Sequence, residues 1–143
     1  MLFCDTSTLA KYYVQEPESD AVRARLDAED QVLLSEFARA ELVAVFHRQL
    51  RERRWSRDEF ATIVRQFSTD EVVGYWTWVP LDSGIIEKVV RTYTTLPEDV
   101  FLRAADCVHL VTALHQGFTE VHTHDAHQRE GASALGLTAV AIE

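Results

Sequence analysis

Apolar residues along this chain follow two periodicities, and their alternation is the first structural signal. Short runs at Leu2-Phe3-Cys4, Val32-Leu33-Leu34, Trp78-Val79-Pro80-Leu81, Val121-His122-Thr123 and Ala139-Val140-Ala141-Ile142 read as strands. Between them lie longer stretches with apolar positions at i, i+3 and i+4, the spacing of one helix face. Phe37, Leu42, Val45-Phe46 and Leu50 define one helix, and Phe60, Ile63-Val64 and Phe67 a second. Ile85-Ile86, Val89-Val90 and Tyr93 give a third; Leu102, Ala105, Val108-His109 and Thr112-Ala113 give a fourth. Ser56-Arg57-Asp58-Glu59 has the form of a capping box opening the second helix, and Gly117 closes the fourth. The stretch from Glu36 to Phe67 is therefore expected to be a helical hairpin broken near Trp55-Ser56. Strands alternating with helices imply βαβ crossovers and a parallel sheet covered on both faces. With no linker and no internal repeat, residues 1–143 read as a single domain.

Composition narrows the class. The 143 residues carry 23 acidic and 14 basic side chains, a net charge of −9, which argues against coating nucleic acid by bulk charge. Cys4 and Cys107 sit in apolar stretches without a C-x-x-C pattern, so neither a disulfide framework nor a zinc site is expected, and a reducing compartment suits them. The N-terminus lacks a signal-peptide pattern, and no apolar run approaches the roughly 18 residues of a membrane span. These features lead to the expectation of a soluble cytoplasmic protein with no membrane association.

In open α/β sheets, ligands bind beyond the carboxyl ends of the strands, so polar residues there carry the candidate chemistry. Asp5 directly follows the first strand and precedes Thr6-Ser7-Thr8; Asp125 stands in the same relation to the fourth strand. Either could simply cap the next helix. Glu41 lies among small and apolar neighbours in Ala38-Arg39-Ala40-Glu41-Leu42, where pairing with Arg39 or Arg48 is the plainer reading. Asp106 interrupts an otherwise apolar helix and needs a partner there, either His109, Arg103 or a metal. Four carboxylates converging on one crevice would repel one another, and a hard divalent cation such as Mg²⁺ or Mn²⁺ would relieve the conflict. Such a site suits in-line phosphodiester hydrolysis by a metal-activated water.

Four segments together resemble the PIN-domain ribonucleases, in particular the VapC-like toxins of toxin–antitoxin modules. They are Asp5-Thr6-Ser7-Thr8-Leu9 after an N-terminal strand, Ala40-Glu41-Leu42, Leu102-Arg103-Ala104-Ala105-Asp106-Cys107-Val108-His109-Leu110, and Thr123-His124-Asp125 before Leu135-Gly136-Leu137. The resemblance spans nearly the whole chain and rests on the order and spacing of the segments. It implies a three-layer α/β/α sandwich with a five-stranded parallel sheet, usually as a homodimer. Asp5, Glu41, Asp106 and Asp125 would form the acidic quartet holding Mg²⁺ or Mn²⁺, with Ser7 helping to position water or metal. The implied activity is endonucleolytic RNA cleavage leaving 5′-phosphate and 3′-hydroxyl ends, blocked by a cognate antitoxin. His122, His124 and His127 crowd the last aspartate and read as surface residues rather than phosphate contacts.

A local basic island answers the objection from net charge. The segment from His47 to Arg57 holds five arginines and one glutamate. Arg48, Arg51, Arg53 and Arg54 are expected to contact RNA phosphates, and Trp55 to stack on a base, the alternative being a solvated helix end. The run Tyr75-Trp76-Thr77-Trp78 reads as a strand with one buried face, while Tyr12-Tyr13 and Phe37 are either core or partner anchors. Two rival functions remain at this level. One is a non-catalytic PIN-like binding module whose carboxylates are caps and ion pairs. The other is a phosphotransfer protein, disfavoured because neither lysine, Lys11 or Lys88, stands at a late strand end.

Overall fold

The structure, a computed structural model, describes residues 1–143. Strand β1 (Leu2–Phe3) leads into α1 (Thr6–Tyr13) and α2 (Ser19–Asp27); β2 (Val32–Ser35) leads into α3 (Phe37–Arg51) and α4 (Arg57–Val72). Then come β3 (Thr77–Val79), α5 (Ser83–Thr95), α6 (Ala104–His115), β4 (Glu120–His122), α7 (Ala126–Ala134) and β5 (Thr138–Val140). The helical hairpin is α3 and α4, and Ser56 and Glu59 form the reciprocal capping box between them. Gly117 ends α6 at φ +81°, a backbone region that favours glycine. α1 stops before Pro17, which disfavours helical geometry at the residue preceding it.

All strand pairs are parallel. The expected single five-stranded sheet is not formed: β1, β2 and β3 make one sheet in the order β1-β2-β3, and β4 and β5 make a second. A single bridge, Cys4 to His122, joins them. The cause is local. β1 is only two residues long because the chain leaves the strand at Asp5 to begin α1. That bridge includes the Asp5 N–H to the His122 carbonyl at 3.1 Å, and side-chain hydrogen bonds, Thr123 to Asp5 among them, continue across beyond it.

Alternation along the strands sorts the core into two layers. Leu2, Cys4, Val32 and Leu34 pack with α1 to α4 on one face. Phe3, Leu33, Val79 and Val121 pack with α5, α6 and α7 on the other. The result is an α/β/α arrangement with β1 interior to the strand array. α7 approaches the start of α6 closely at Gly131, where a Cβ would fall 2.4 Å from Leu102 Cδ1. That contact brings the start of α7, and so Asp125, beside the first turn of α6. Most of the large aromatic residues serve the first core layer, with Phe3, Phe37 and Phe118 on the second. Trp76 is buried, Tyr13 makes edge contacts with Phe46 and Phe67, and the half-buried Trp55, the expected base-stacking indole, packs on Phe46 at the edge of the core.

Candidate active site

Asp5, Ser7, Glu41, Asp106 and Asp125 all line one cavity of about 770 Å³. It opens where β1 and β4 diverge, at the carboxyl ends of the strands, the position at which reversed strand order leaves a crevice in open α/β sheets. Arg48 and Arg51 of the basic island line the same cavity, as do Lys11, His47, Arg103, His109, His124 and Gln128. Arg53 and Arg54 do not line it; Arg53 sits in the turn after α3 at φ +58°, and Arg54 pairs with Glu52 at 3.3 Å.

The two strand-end aspartates are helix caps as well as cavity residues. Asp5 is 3% exposed. Its Oδ1 accepts from the Thr8 N–H and the Ser7 hydroxyl, and its Oδ2 accepts from the Thr123 hydroxyl at 2.6 Å. Burial pushes its carboxyl above the usual range, against the opposing pull of the His109 charge and these hydrogen bonds. Asp125 Oδ1 accepts from the His127 and Gln128 N–H groups, leaving Oδ2 toward the cavity. Burial raises its carboxyl, but the backbone donors and Arg103 outweigh that and hold it low.

The two helical carboxylates are held by partners that sequence spacing places far apart or leaves ambiguous. Glu41 Oε1 accepts from the Thr6 hydroxyl at 2.6 Å and lies 2.5 Å from His109 Nε2. Burial raises Glu41, but these contacts and the nearby Arg103 charge bring it below its ordinary value. Neither Arg39 nor Arg48 pairs with it; Arg39 is engaged by Glu71 and Glu36. Asp106, 7% exposed, pairs with Arg103 and not with His109. Arg103 Nε donates to Asp106 Oδ2 at 2.7 Å, and Nη2 donates to Asp106 Oδ1 at 3.2 Å and to Asp125 Oδ2 at 3.0 Å.

The histidines depart from the surface expectation. His122 is buried, and that burial lowers its pKa. His124 lies 3.0 Å from both the Thr8 hydroxyl and the Ile142 carbonyl. Only His127 is outward, edge-on to Phe101. Sequence reasoning missed the roles of Thr6 and Thr123, the contact of His109 with Glu41 and the reach of Arg103 to Asp125. The i, i+3 spacing about Asp106 singles out both Arg103 and His109 but does not say which one pairs with it.

As the side chains lie, no three His, Cys, Asp or Glu groups stand close enough to hold a metal ion together. Asp106 and Asp125 are instead paired with Arg103, and Glu41 with His109. The donor chemistry nevertheless fits a hard divalent cation: four carboxylates on one cavity offer oxygen alone, and buried Asp5 has no cationic partner in direct contact.

A parallel α/β/α fold with carboxylates gathered at the strand ends defines a class of acidic-site domains. A family model of the PIN domain matches residues 2–133, and the chain belongs to that family. The fold is shared with VapC20 of Mycobacterium tuberculosis, described as a sarcin-ricin loop cleaving toxin, at 12% identity and a TM-score of 0.73 over 98% of both chains. It is shared with FitAcB from Neisseria gonorrhoeae at 19% identity and a TM-score of 0.70, covering 97% of this chain and 96% of that one. VapBC2 from Rickettsia felis, solved with a promoter DNA fragment, matches over the full length of both chains at 11% identity and a TM-score of 0.73. No curated protein matches the chain.

Proposed function

We propose that this chain is a metal-dependent endoribonuclease acting as the toxin of a toxin–antitoxin module. The observation that carries the reading is the meeting of Asp5, Glu41, Asp106 and Asp125, from four separate segments, on one cavity that Arg48 and Arg51 also line. Bound there, Mg²⁺ or Mn²⁺ would supply positive charge against the scissile phosphate and a water of lowered pKa. Asp5, Glu41, Asp106 and Asp125 would hold the cation. Ser7 and Thr123 fix the Asp5 carboxylate through their hydroxyls, and Thr6 and His109 fix Glu41. Arg48 and Arg51 would draw the RNA backbone toward the cavity, with Arg53 and Arg54 contacting it further out.

The partners in this reading are an RNA substrate and a cognate antitoxin; the VapBC2 neighbour was solved as a complex on promoter DNA. A second copy of the chain completes the proposed homodimer, for which α5 offers outward apolar residues Ile86 and Val90. No helix is long and apolar enough to cross a membrane. The site of action is proposed to be the cytoplasm.

Induced expression is expected to arrest bacterial growth, and Asp106→Asn to restore it. Purified protein is expected to cut RNA with Mn²⁺ and to stop on chelation. Growth without arrest, together with intact RNA at saturating Mn²⁺, would refute the reading. The rival is a binding module in which the Arg103 and His109 pairs are permanent. A calorimetric Mn²⁺ titration without heat would favour that rival.

A further inference from the structure

We propose that Arg103 is a positioning residue that acts as an internal stand-in for the divalent cation, and that it must release two carboxylates before a cation can be held. This inference rests on the metal-dependent reading above. Every oxygen of Asp106 and Asp125 already accepts a hydrogen bond. Both oxygens of Asp106 accept from Arg103. Asp125 Oδ1 is committed to the α7 N–H groups, so Oδ2 is the oxygen it has left to offer, and Arg103 takes it too. One planar guanidinium thus engages both available sides of the pair Asp106 and Asp125. A cation seeking those oxygens meets a fixed positive charge in the same place, and the two cannot share it.

Arg103 is built to let go. It stands at the N-cap of α6, outside the helix, and the neighbouring backbone is anchored by the Tyr93 hydroxyl on the Leu102 carbonyl at 2.6 Å. The side chain itself is 48% exposed, whereas that of Asp106 is 10% exposed. Its contacts use Nε and Nη2, so Nη1 keeps two N–H donors without a protein acceptor. Release therefore needs rotation about side-chain bonds and no backbone movement. A released guanidinium remains at a cavity lined by Arg48 and Arg51, where its fork suits a phosphate. Arg103 would thus give up carboxylates as the cation arrives and meet the substrate backbone when RNA follows.

The test is Mn²⁺ affinity without RNA, measured by calorimetry and by electron paramagnetic resonance on wild type, Arg103→Gln, Arg103→Lys and Arg48→Gln. Removing a competitor held by three charge-assisted hydrogen bonds is expected to tighten Mn²⁺ binding about tenfold in Arg103→Gln. Arg103→Lys keeps the charge but loses the fork, and is expected to fall between Arg103→Gln and wild type. Arg48→Gln removes a cavity charge that touches no carboxylate and is expected to change affinity less than about threefold. The metal-free melting temperature should fall in Arg103→Gln, and its Mn²⁺-induced rise should exceed that of wild type. Equal affinity in wild type and Arg103→Gln, or a gain no larger than that of Arg48→Gln, overturns the latch while leaving the metal site standing. Absence of Mn²⁺ binding in every protein overturns both the latch and the reading on which it rests.

Discussion

Two buried aspartates on opposite sides of the sheet, Asp70 and Asp106, show how similar burial can serve different ends. Asp70 is 8% exposed on α4, and its donors are neutral: the core-locked Tyr13 hydroxyl at 2.6 Å and, from the helix surface, Gln66 Nε2 at 2.8 Å. Trp76 Nε1 donates in turn to the Tyr13 oxygen. Burial, then the hydrogen bond to Asp70, raises the Tyr13 phenol, so Tyr13 stays a protonated donor. Asp106 is buried to nearly the same degree, but its partner is a half-exposed arginine at the wall of an open cavity. Low exposure alone therefore does not mark a carboxylate as functional. The distinguishing feature is whether its partners are fixed by packing or free to be exchanged.

That contrast can be broken most sharply by activity. On a labelled RNA with Mn²⁺, Asp106→Asn and Asp5→Asn are each expected to lower cleavage by about a hundredfold or more, and Asp70→Asn to leave it near wild type. Stability should reverse the order. Asp70→Ala strands the buried Tyr13 hydroxyl, and urea denaturation should show a loss of about 2 kcal/mol, against about 1 kcal/mol or less for Asp106→Asn. A smaller effect concerns the cavity rim. In binding assays at graded salt, Arg48→Gln and Arg51→Gln are each expected to reduce the log–log salt slope by about 1, and Arg54→Gln, beyond the cavity wall, by less.

The smallest expected effect is a pH dependence with a defined sign. Burial holds the Asp5 carboxyl above its ordinary range, so its ionised form opposes folding of the metal-free protein. That penalty is complete near neutral pH and fades as pH falls through the raised pKa. Asn has no such penalty at any pH. The urea midpoint of Asp5→Asn relative to wild type, both in chelator, should therefore be most favourable near neutrality and decline toward acid. Glu41 and Asp125, whose folded pKa values are lowered, lose their stabilising contribution in acid in both proteins, so their effect cancels in the difference.

Features written in local spacing were legible in the sequence. Helix periodicity, the Ser56 box, the Gly117 stop and the strand-end positions of Asp5 and Asp125 each depend on a few consecutive residues. Topology reached only Asp5 and Asp125; that Glu41 and Asp106 belong with them was implied by the resemblance to the PIN-domain ribonucleases. What escaped was pairing over long separation: His109 with Glu41, 68 positions apart, and Thr123 with Asp5, 118 apart. Asp70 gave no warning because Ser68-Thr69-Asp70-Glu71 reads as an ordinary polar helix face. The division of the sheet was hidden for a similar reason. Leu2-Phe3-Cys4 has a strand's composition, but the demand of α1 for a cap at Asp5 cuts the ladder short.

Asp5 and Asp125 each give one oxygen to a helix start, Asp5 turning its other to the Thr123 hydroxyl and Asp125 its other to the cavity. Their aim is therefore set by the course of the main chain, and lengthening either to glutamate would keep the charge yet misdirect both oxygens. For producing an inert version of this protein in living cells, alterations at Glu41 or Asp106 are the better choice. Neither of those begins a helix, so silencing them need not unravel one.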